Sequence, residues 1–296
     1  MLDTLIIGKD SKFGLTKDIE ILSNALRSQK LAGRIATVGI RQRSLWDWLR
    51  RRRWADTAIH IERIFPRWYS AARRHILIPN QERFPRRHLG RLKHVDLVLA
   101  KSHHAVELFK AHGVATEYLG FTSQDRRDLT VARDWNRIVH LAGGSTLKGT
   151  EDVLALWEKH PEWPQLTLIS SFVDDDELRR IQNGHGIHLC PSRAEGWGHH
   201  MVEGMSVGAL VIATDAPPMN EHVGPDSAIL VACTRSEPRH IGTSYFVAIE
   251  ALEAAIERAI AMPAPEKAEF GTAARLAFEK IDRDFSSRLA ALLGKA

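Results

Sequence analysis

The chain has 296 residues, 44% hydrophobic and 26% charged, which is enough for two domains with their own cores and excludes a disordered chain. Its two cysteines, Cys190 and Cys233, make no disulfide framework and suit a reducing interior such as the cytoplasm. The net charge of +5 divides unevenly: residues 1–130 carry 25 Lys+Arg against 13 Asp+Glu (+12), and residues 131–296 carry 16 against 23 (−7). Two domains with different partners are expected, the first drawn to something anionic: lipid head groups, an acidic polymer or a phosphorylated substrate.

In chain order, LDTLIIG reads as a first buried strand, without the basic segment or small-residue cleavage site of a signal peptide. No apolar run approaches the ~18 residues of a membrane span, so a soluble protein, or one resting on a membrane surface, is expected. TKDIEILSNALRSQ follows as an amphipathic helix, RIATVG, TAIHIERI and HILIPN as strands, and then a helical or irregular stretch through Arg91. DLVLAKS is a strand, HHAVELFKAHG a helix and ATEYLGF a strand. Short apolar runs alternating with helical periods predict a parallel sheet covered on both faces. The polar TSQDRRDLTVARDWN reads as a linker.

A second series begins with the strand RIVHLAGG. Helix TEDVLALWEKH, strand LTLIS, helix DDDELRRIQ, strand GIHLCPS, helix HMVEGMSVG and strands ALVIAT and AILVA lead to a helical C-terminus from about Val247. The fold class expected is therefore α/β, with two doubly wound Rossmann-like domains, residues 1–130 and 131–296, facing across a cleft. Ligands of such sheets bind beyond the carboxyl ends of the strands.

Two loops at such ends carry phosphate-binding chemistry. In the first, Ala142 to Thr150, Gly143, Gly144 and Ser145 precede Lys148; glycines admit close approach of a phosphate, and the helix start and lysine supply positive potential. Neither a P-loop nor a dinucleotide fingerprint is present. The second, Pro191-Ser192-Arg193-Ala194-Glu195-Gly196-Trp197-Gly198-His199-His200, opens a helix that contains Glu203. Backbone amides there can hold a diphosphate. The separation of Glu195 and Glu203 suits two distinct hydroxyl-binding tasks better than the facing carboxylates of a glycosidase.

The stretch PSRAEGWGHHMVEGMSVGALVIATDAPPMNEHV resembles the donor-binding core of the retaining GT-B glycosyltransferases of sucrose-synthase and mannosyltransferase type, glycosyl transferases group 1. Their E-x7-E motif falls on Glu195 and Glu203, and LAGGSTLKGT is similar to the family loop that carries a phosphate-binding lysine, here Lys148. The match covers residues 137–232; the N-terminal half shares only the layout. The resemblance implies that Glu195 binds hydroxyls of the transferred sugar and Glu203 the ribose. It implies that Lys148, with the amides of Gly196 through His199, stabilises the departing diphosphate. Gly144, Ser145, Arg193 and Trp197 complete the expected donor site, with apolar side chains near Val173 bordering the base. Catalysis falls to Glu195 and Lys148, through front-face displacement in which the diphosphate takes the acceptor proton and neither metal nor cofactor is needed.

Two departures stand out. Gly143 occupies the place of a family arginine, so Arg193, His199 or a basic residue of the first domain must replace that charge. No histidine follows the HILIPN strand, where family members present one to the donor sugar; Asn80, Glu82 or His60 are the acceptor-side candidates, with a hydrogen-bonded core histidine as the alternative for His60.

The run SLWDWLRRRRW, residues 44–54, is either a solvated helix with its aromatics in the core or an element resting on an anionic membrane; nucleic-acid binding lacks a reader motif. Asp174-Asp175-Asp176-Glu177 reads as a helix cap, and the His103-His104 and His199-His200 pairs lack a third zinc ligand. The expected partners are a nucleotide-diphosphate sugar and a glycan or lipid-linked acceptor of cell-envelope polysaccharide synthesis, with no nucleic acid, in the cytoplasm or at the inner membrane face. The competing readings are a non-catalytic nucleotide-binding or partner subunit and a basic peripheral-membrane adaptor.

Overall fold

A computed structural model describes residues 2–9 and 14–294; the last two residues of the expected C-terminal helix, 295–296, lie outside the described residues. The chain divides into two compact units. One comprises Met1–Phe121, Arg239–Gly242 and Arg283–Ala296, the other Thr122–Pro238 and Thr243–Asp282.

The first unit contains β1 (Leu2–Gly8), α1 (Gly14–Ser28), β2 (Ile35–Gly39), α2 (Leu45–Leu49), β3 (Ala55–Glu62), β4 (Arg74–Pro79), β5 (Leu97–Ala100), α3 (His103–Lys110) and β6 (Thr116–Tyr118). The strands form one parallel sheet in the order β2-β1-β3-β4-β5-β6. Continuous apolar runs such as Leu5–Ile7 and Ile76–Ile78 are fully buried, as expected for parallel strands covered on both faces. The irregular stretch before β5 is 3-10 helix, Arg86–His94.

Residues 44–54 split between two fates. Trp54 packs edge-on against buried Trp68, ring centroids 5.5 Å apart, whereas α2 turns outward, with Trp46 69% and Leu49 58% exposed. Of the three tryptophans in this run, only Trp54 joins the core.

The second unit contains β7 (Asp134–Leu141), α4 (Thr150–Lys159), β8 (Leu166–Ile169), α5 (Asp175–Gly184), β9 (His185–Cys190), α6 (His199–Val207), β10 (Leu210–Thr214), α7 (Met219–His222) and β11 (Ala228–Val231). It continues with β12 (Cys233–Arg239) and β13 (Gly242–Val247), of which Arg239 and Gly242 count with the first unit, α8 (Ile249–Ala261), and α9 (Ala264–Leu293) as far as Asp282, its residues from Arg283 on counting with the first unit. Its parallel sheet runs β11-β10-β9-β7-β8. Ile138, Ile187, Leu189, Leu210 and Ile212 meet Leu252 and Ile256 of α8 in one core. Asp174 caps α5, its carboxylate accepting from the Asp176 amide, as the acidic run predicts.

Two features depart from the sequence reading. The two-stranded ribbon β12–β13 was not legible as such, because CTRSEPR carries no apolar alternation and is almost wholly exposed. The polar stretch read as a linker is fastened down: the Arg126 side chain is 4% exposed and binds Gln182 and Asp175 of α5.

The strand order fixes where a ligand can bind. From β7 the chain steps one way to β8; from β9 it steps the other way to β10 and β11. The order thus reverses between adjacent strands β7 and β9, and beyond their carboxyl ends a crevice opens. The loops that follow β7 and β9 are the two glycine-rich loops.

Candidate functional site

Each loop ends on a glycine that no other L-residue could replace without strain. Gly149, before α4, has φ +70°, and a Cβ there would lie 2.3 Å from the Pro191 carbonyl oxygen of the other loop. Gly198, before α6, has φ +95°. Left-handed glycines let each chain turn sharply into its helix. The Arg193 amide donates to the Leu147 carbonyl at 2.7 Å, and the Tyr245 amide of β13 donates to the Arg193 carbonyl at 2.7 Å. The two loops are thereby one hydrogen-bonded piece.

At its centre the Lys148 ammonium donates to Glu195 Oε1 at 2.7 Å and to His200 Nδ1 at 2.9 Å. The Lys148 and Glu195 side chains are only 17% and 12% exposed. Burial first, and then the Lys148 charge, hold His200 well below the usual histidine range, so its ring is neutral and Nδ1 accepts. Its Nε2 proton then points at Ser192 Oγ, 3.3 Å away. Beneath this cluster His140 is also kept neutral by burial, donating from Nδ1 to the Leu189 carbonyl and accepting at Nε2 from Thr150 Oγ1.

Gly143 and Gly144 form the outer lip. Both are exposed, and around the positions where their Cβ atoms would stand there is nothing within 4 Å. Ser145 Oγ turns back to accept from the Leu147 amide at 3.2 Å.

Trp197 lies inward, 4% exposed, its ring 4.0 Å from that of His222 and its Nε1–H donating to Ser123 Oγ at 3.2 Å. Ser123 Oγ in turn lies 2.8 Å from His199 Nδ1. Trp197 therefore anchors the turn, and His199 at the helix start is oriented from the 122–128 segment.

Glu203 sits on α6, 2% exposed, with Oε2 accepting from Gln182 Nε2 at 2.8 Å. Gln182 Oε1 accepts from Arg126 Nε at 2.9 Å, and Arg126 clasps the Asp175 carboxylate with two bonds of 2.9 Å. The Arg126 amide also donates to Ser206 Oγ at 3.0 Å. Arg126, Gln182 and Asp175 are site-supporting residues that the motif does not contain; they arrive from a presumed linker and a neighbouring helix, and no local spacing announces them.

Other candidates lie elsewhere. Arg193 turns to Asp152 at 3.0 Å and Glu151 at 3.3 Å on α4 and stacks over Phe246, so its charge is spent on the start of α4. In the first unit His60 is 0% exposed, bonded through Nε2 to His75 Nδ1 at 3.0 Å, and held neutral chiefly by burial. It is the core histidine of the alternative reading. Asn80, at the end of β4, accepts from Lys101 Nζ at 3.1 Å, and Lys101 makes a buried ion pair with Asp18 at 2.6 Å. Glu82 is buried beside it in sequence, 3.8 Å from Arg83. Among the described residues one group has metal-ligand spacing, His160, Glu253 and Glu257; Glu253 there already takes Lys159 at 2.7 Å and His160 at 2.6 Å.

Residues 132–276 match the family described as glycosyl transferases group 1. This segment, which contains both loops, is a group 1 glycosyltransferase domain. The match, over just under half of the chain, points to glycosyl transfer. Solved structures share the fold. The chain superposes on Anabaena Alr3699/HepE, crystallised with UDP and glucose, with a TM-score of 0.72 at 13% identity over 100% of both chains. For sucrose-phosphate synthase from Thermosynechococcus elongatus the values are 0.68 and 12%, over 99% of this chain and 98% of the other. For the pneumococcal O-GlcNAc transferase GtfA, solved with UDP and GlcNAc, they are 0.61 and 12%, over 80% of this chain and only 56% of that longer one. These likenesses fix the fold as GT-B, two Rossmann-like units. No curated protein matches the sequence significantly.

Proposed function

We propose that this glycosyltransferase moves a sugar from a nucleoside diphosphate to a glycan or lipid-linked acceptor, with retention at the anomeric carbon, in cell-envelope polysaccharide synthesis at the cytoplasmic membrane face. The second unit takes the donor, and the basic residues 1–130 serve the acceptor. One observation carries this reading: Lys148 and Glu195, from two separate loops, meet at 2.7 Å at the strand-order reversal of a group 1 domain.

The donor diphosphate lies against the amides of Gly196 through His199 at the start of α6, where the helix dipole favours an anion. Lys148, held ready by Glu195 and neutral His200, turns its ammonium to the diphosphate. Glu195, so released, accepts hydroxyls of the sugar, and Glu203, braced by Gln182, accepts the ribose. The C1–oxygen bond breaks toward the diphosphate, which keeps the electron pair. The acceptor hydroxyl bonds to C1 from the same face, and its proton passes to the departing phosphate oxygen. Charge stabilisation comes from preorganised donors and not from a protein base, and Lys148 with the helix amides supplies it without a metal.

The test is Glu195→Ala, which should abolish turnover of the donor sugar while leaving the fold intact; unchanged transfer would refute the assignment. Gly143 favours a second reading. With Gly143 in the place of the family arginine and Arg193 held by Glu151 and Asp152, a nucleotide-binding subunit without transferase activity would bind nucleoside diphosphates calorimetrically yet neither transfer nor hydrolyse any donor sugar.

A further inference from the structure

In the β2–β3 crossover of the first unit the usual placement of side chains is inverted. Helix α2 has no buried residue; Leu45, Trp46, Trp48 and Leu49 are 52%, 69%, 39% and 58% exposed. The acid of the segment turns inward instead: Asp47 is 21% exposed at its side chain, accepting from Ser44 Oγ at 2.8 Å. Four apolar side chains on one five-residue helix, outside any core, need something to cover them.

The display is rigid. Arg43, fully buried, donates from its guanidinium to the carbonyls of Asp47 at 3.2 Å and Arg52 at 2.7 Å and to Ser70 Oγ at 3.0 Å, and also to the Arg67 carbonyl. One arginine thus ties both ends of the segment to the body of the unit, so the apolar tip is held out by structure.

Charge identifies the occupant. Arg50, Arg51, Arg52 and Arg53 follow the apolar residues and are all exposed, Asp47 is the one acid within residues 44–54, and Arg50 lies over the Trp46 ring at 5.9 Å. Tryptophan settles at head-group depth in a bilayer, and adjacent guanidinium groups bind lipid phosphates. Four side chains fall well short of the ~800 Å² per partner that a stable protein interface buries; a lipid surface, which adds charge attraction to a small inserted patch, needs no more.

We propose that residues 44–54 dock the first unit onto an anionic lipid bilayer, with Leu45, Trp46, Trp48 and Leu49 entering the head-group layer and Arg50–Arg53 meeting lipid phosphates. Among the described residues no helix is long and apolar enough to cross a membrane, so the attachment is peripheral and reversible.

Vesicle co-sedimentation of the full chain tests it, with phosphatidylcholine alone and with roughly one-third phosphatidylglycerol added. Binding is expected only to the anionic vesicles and should fall with salt. Trp46→Ser with Leu49→Ser should weaken it about tenfold, and Arg51→Ser with Arg53→Ser roughly thirtyfold, with melting temperatures unchanged in both pairs. Absence of vesicle binding, or equal binding by the variants, overturns the proposal. So does a protein occupant, which would show as self-association lost in the Trp46/Leu49 variant while vesicles are ignored.

Discussion

Lys148 donates to Glu195 at 2.7 Å across 47 residues of sequence, so a single ion pair clamps the loop after β7 to the loop after β9. With the two side chains 17% and 12% exposed, Glu195→Gln should keep the fold and lose about 1–2 kcal/mol of stability. That is less than the ~3–5 kcal/mol of a fully buried pair, because water still reaches this one. Urea unfolding of both proteins at neutral pH measures it; a loss near zero would mean that the pair does not clamp.

The glycines of the first loop should differ sharply under the same substitution. Gly149→Ala combines φ +70° with a Cβ 2.3 Å from the Pro191 carbonyl oxygen and should cost about 2 kcal/mol or more. Gly143→Ala, at φ +54° with open space around it, should cost about 1 kcal/mol, the left-handed backbone alone. Thermal unfolding of the pair gives the ordering directly.

Buried histidines set the pH response of stability. His188 is pushed down to about 4 and His222 to about 3, in both cases first by burial. Their folded pKa values are depressed, so the unfolded chain binds more protons below its ordinary value of ~6.5. Stability is therefore complete above about pH 6.5 and falls as pH drops toward 4, by on the order of 3 kcal/mol from His188 alone. His188→Asn should flatten urea midpoints between pH 6.5 and about 5.5, a window above the titration of ordinary carboxylates. An unchanged slope would place the pH sensitivity elsewhere.

Gln182 links Glu203 to Arg126 at 2.8 and 2.9 Å. If Glu203 holds the ribose, Gln182→Ala should raise the dissociation constant for the nucleotide about tenfold while kcat at saturating donor changes little. A fall in kcat with KM unaltered would assign the Arg126–Gln182–Glu203 chain to the chemical step instead.

Much of this was legible in the sequence because the decisive signals are local. Apolar runs such as TLII and ALVIAT read as buried parallel strands, and the glycines Gly149 and Gly198 as turns into helices. What stayed hidden depends on partners far along the chain. Arg126 looks solvated among polar neighbours, yet Gln182 and Asp175, 56 and 49 residues on, bury it. Arg43 reads as one arginine in a basic stretch, but four acceptors close around it and turn α2 outward. His60 shows the converse: its place in an apolar strand admitted either a site or a core role, and only the His75 contact at 3.0 Å decides for the core.

One titration bears most directly on the donor site. Calorimetry of UDP, GDP, ADP and TDP with the wild-type chain and with Lys148→Met should show one nucleoside diphosphate bound by the wild type. The variant, still folded, should bind it about 100-fold more weakly or worse, the loss of one charged contact to the diphosphate. Equal affinity in the two proteins, or no binding of any of the four, would contradict a donor site between Lys148 and the start of α6.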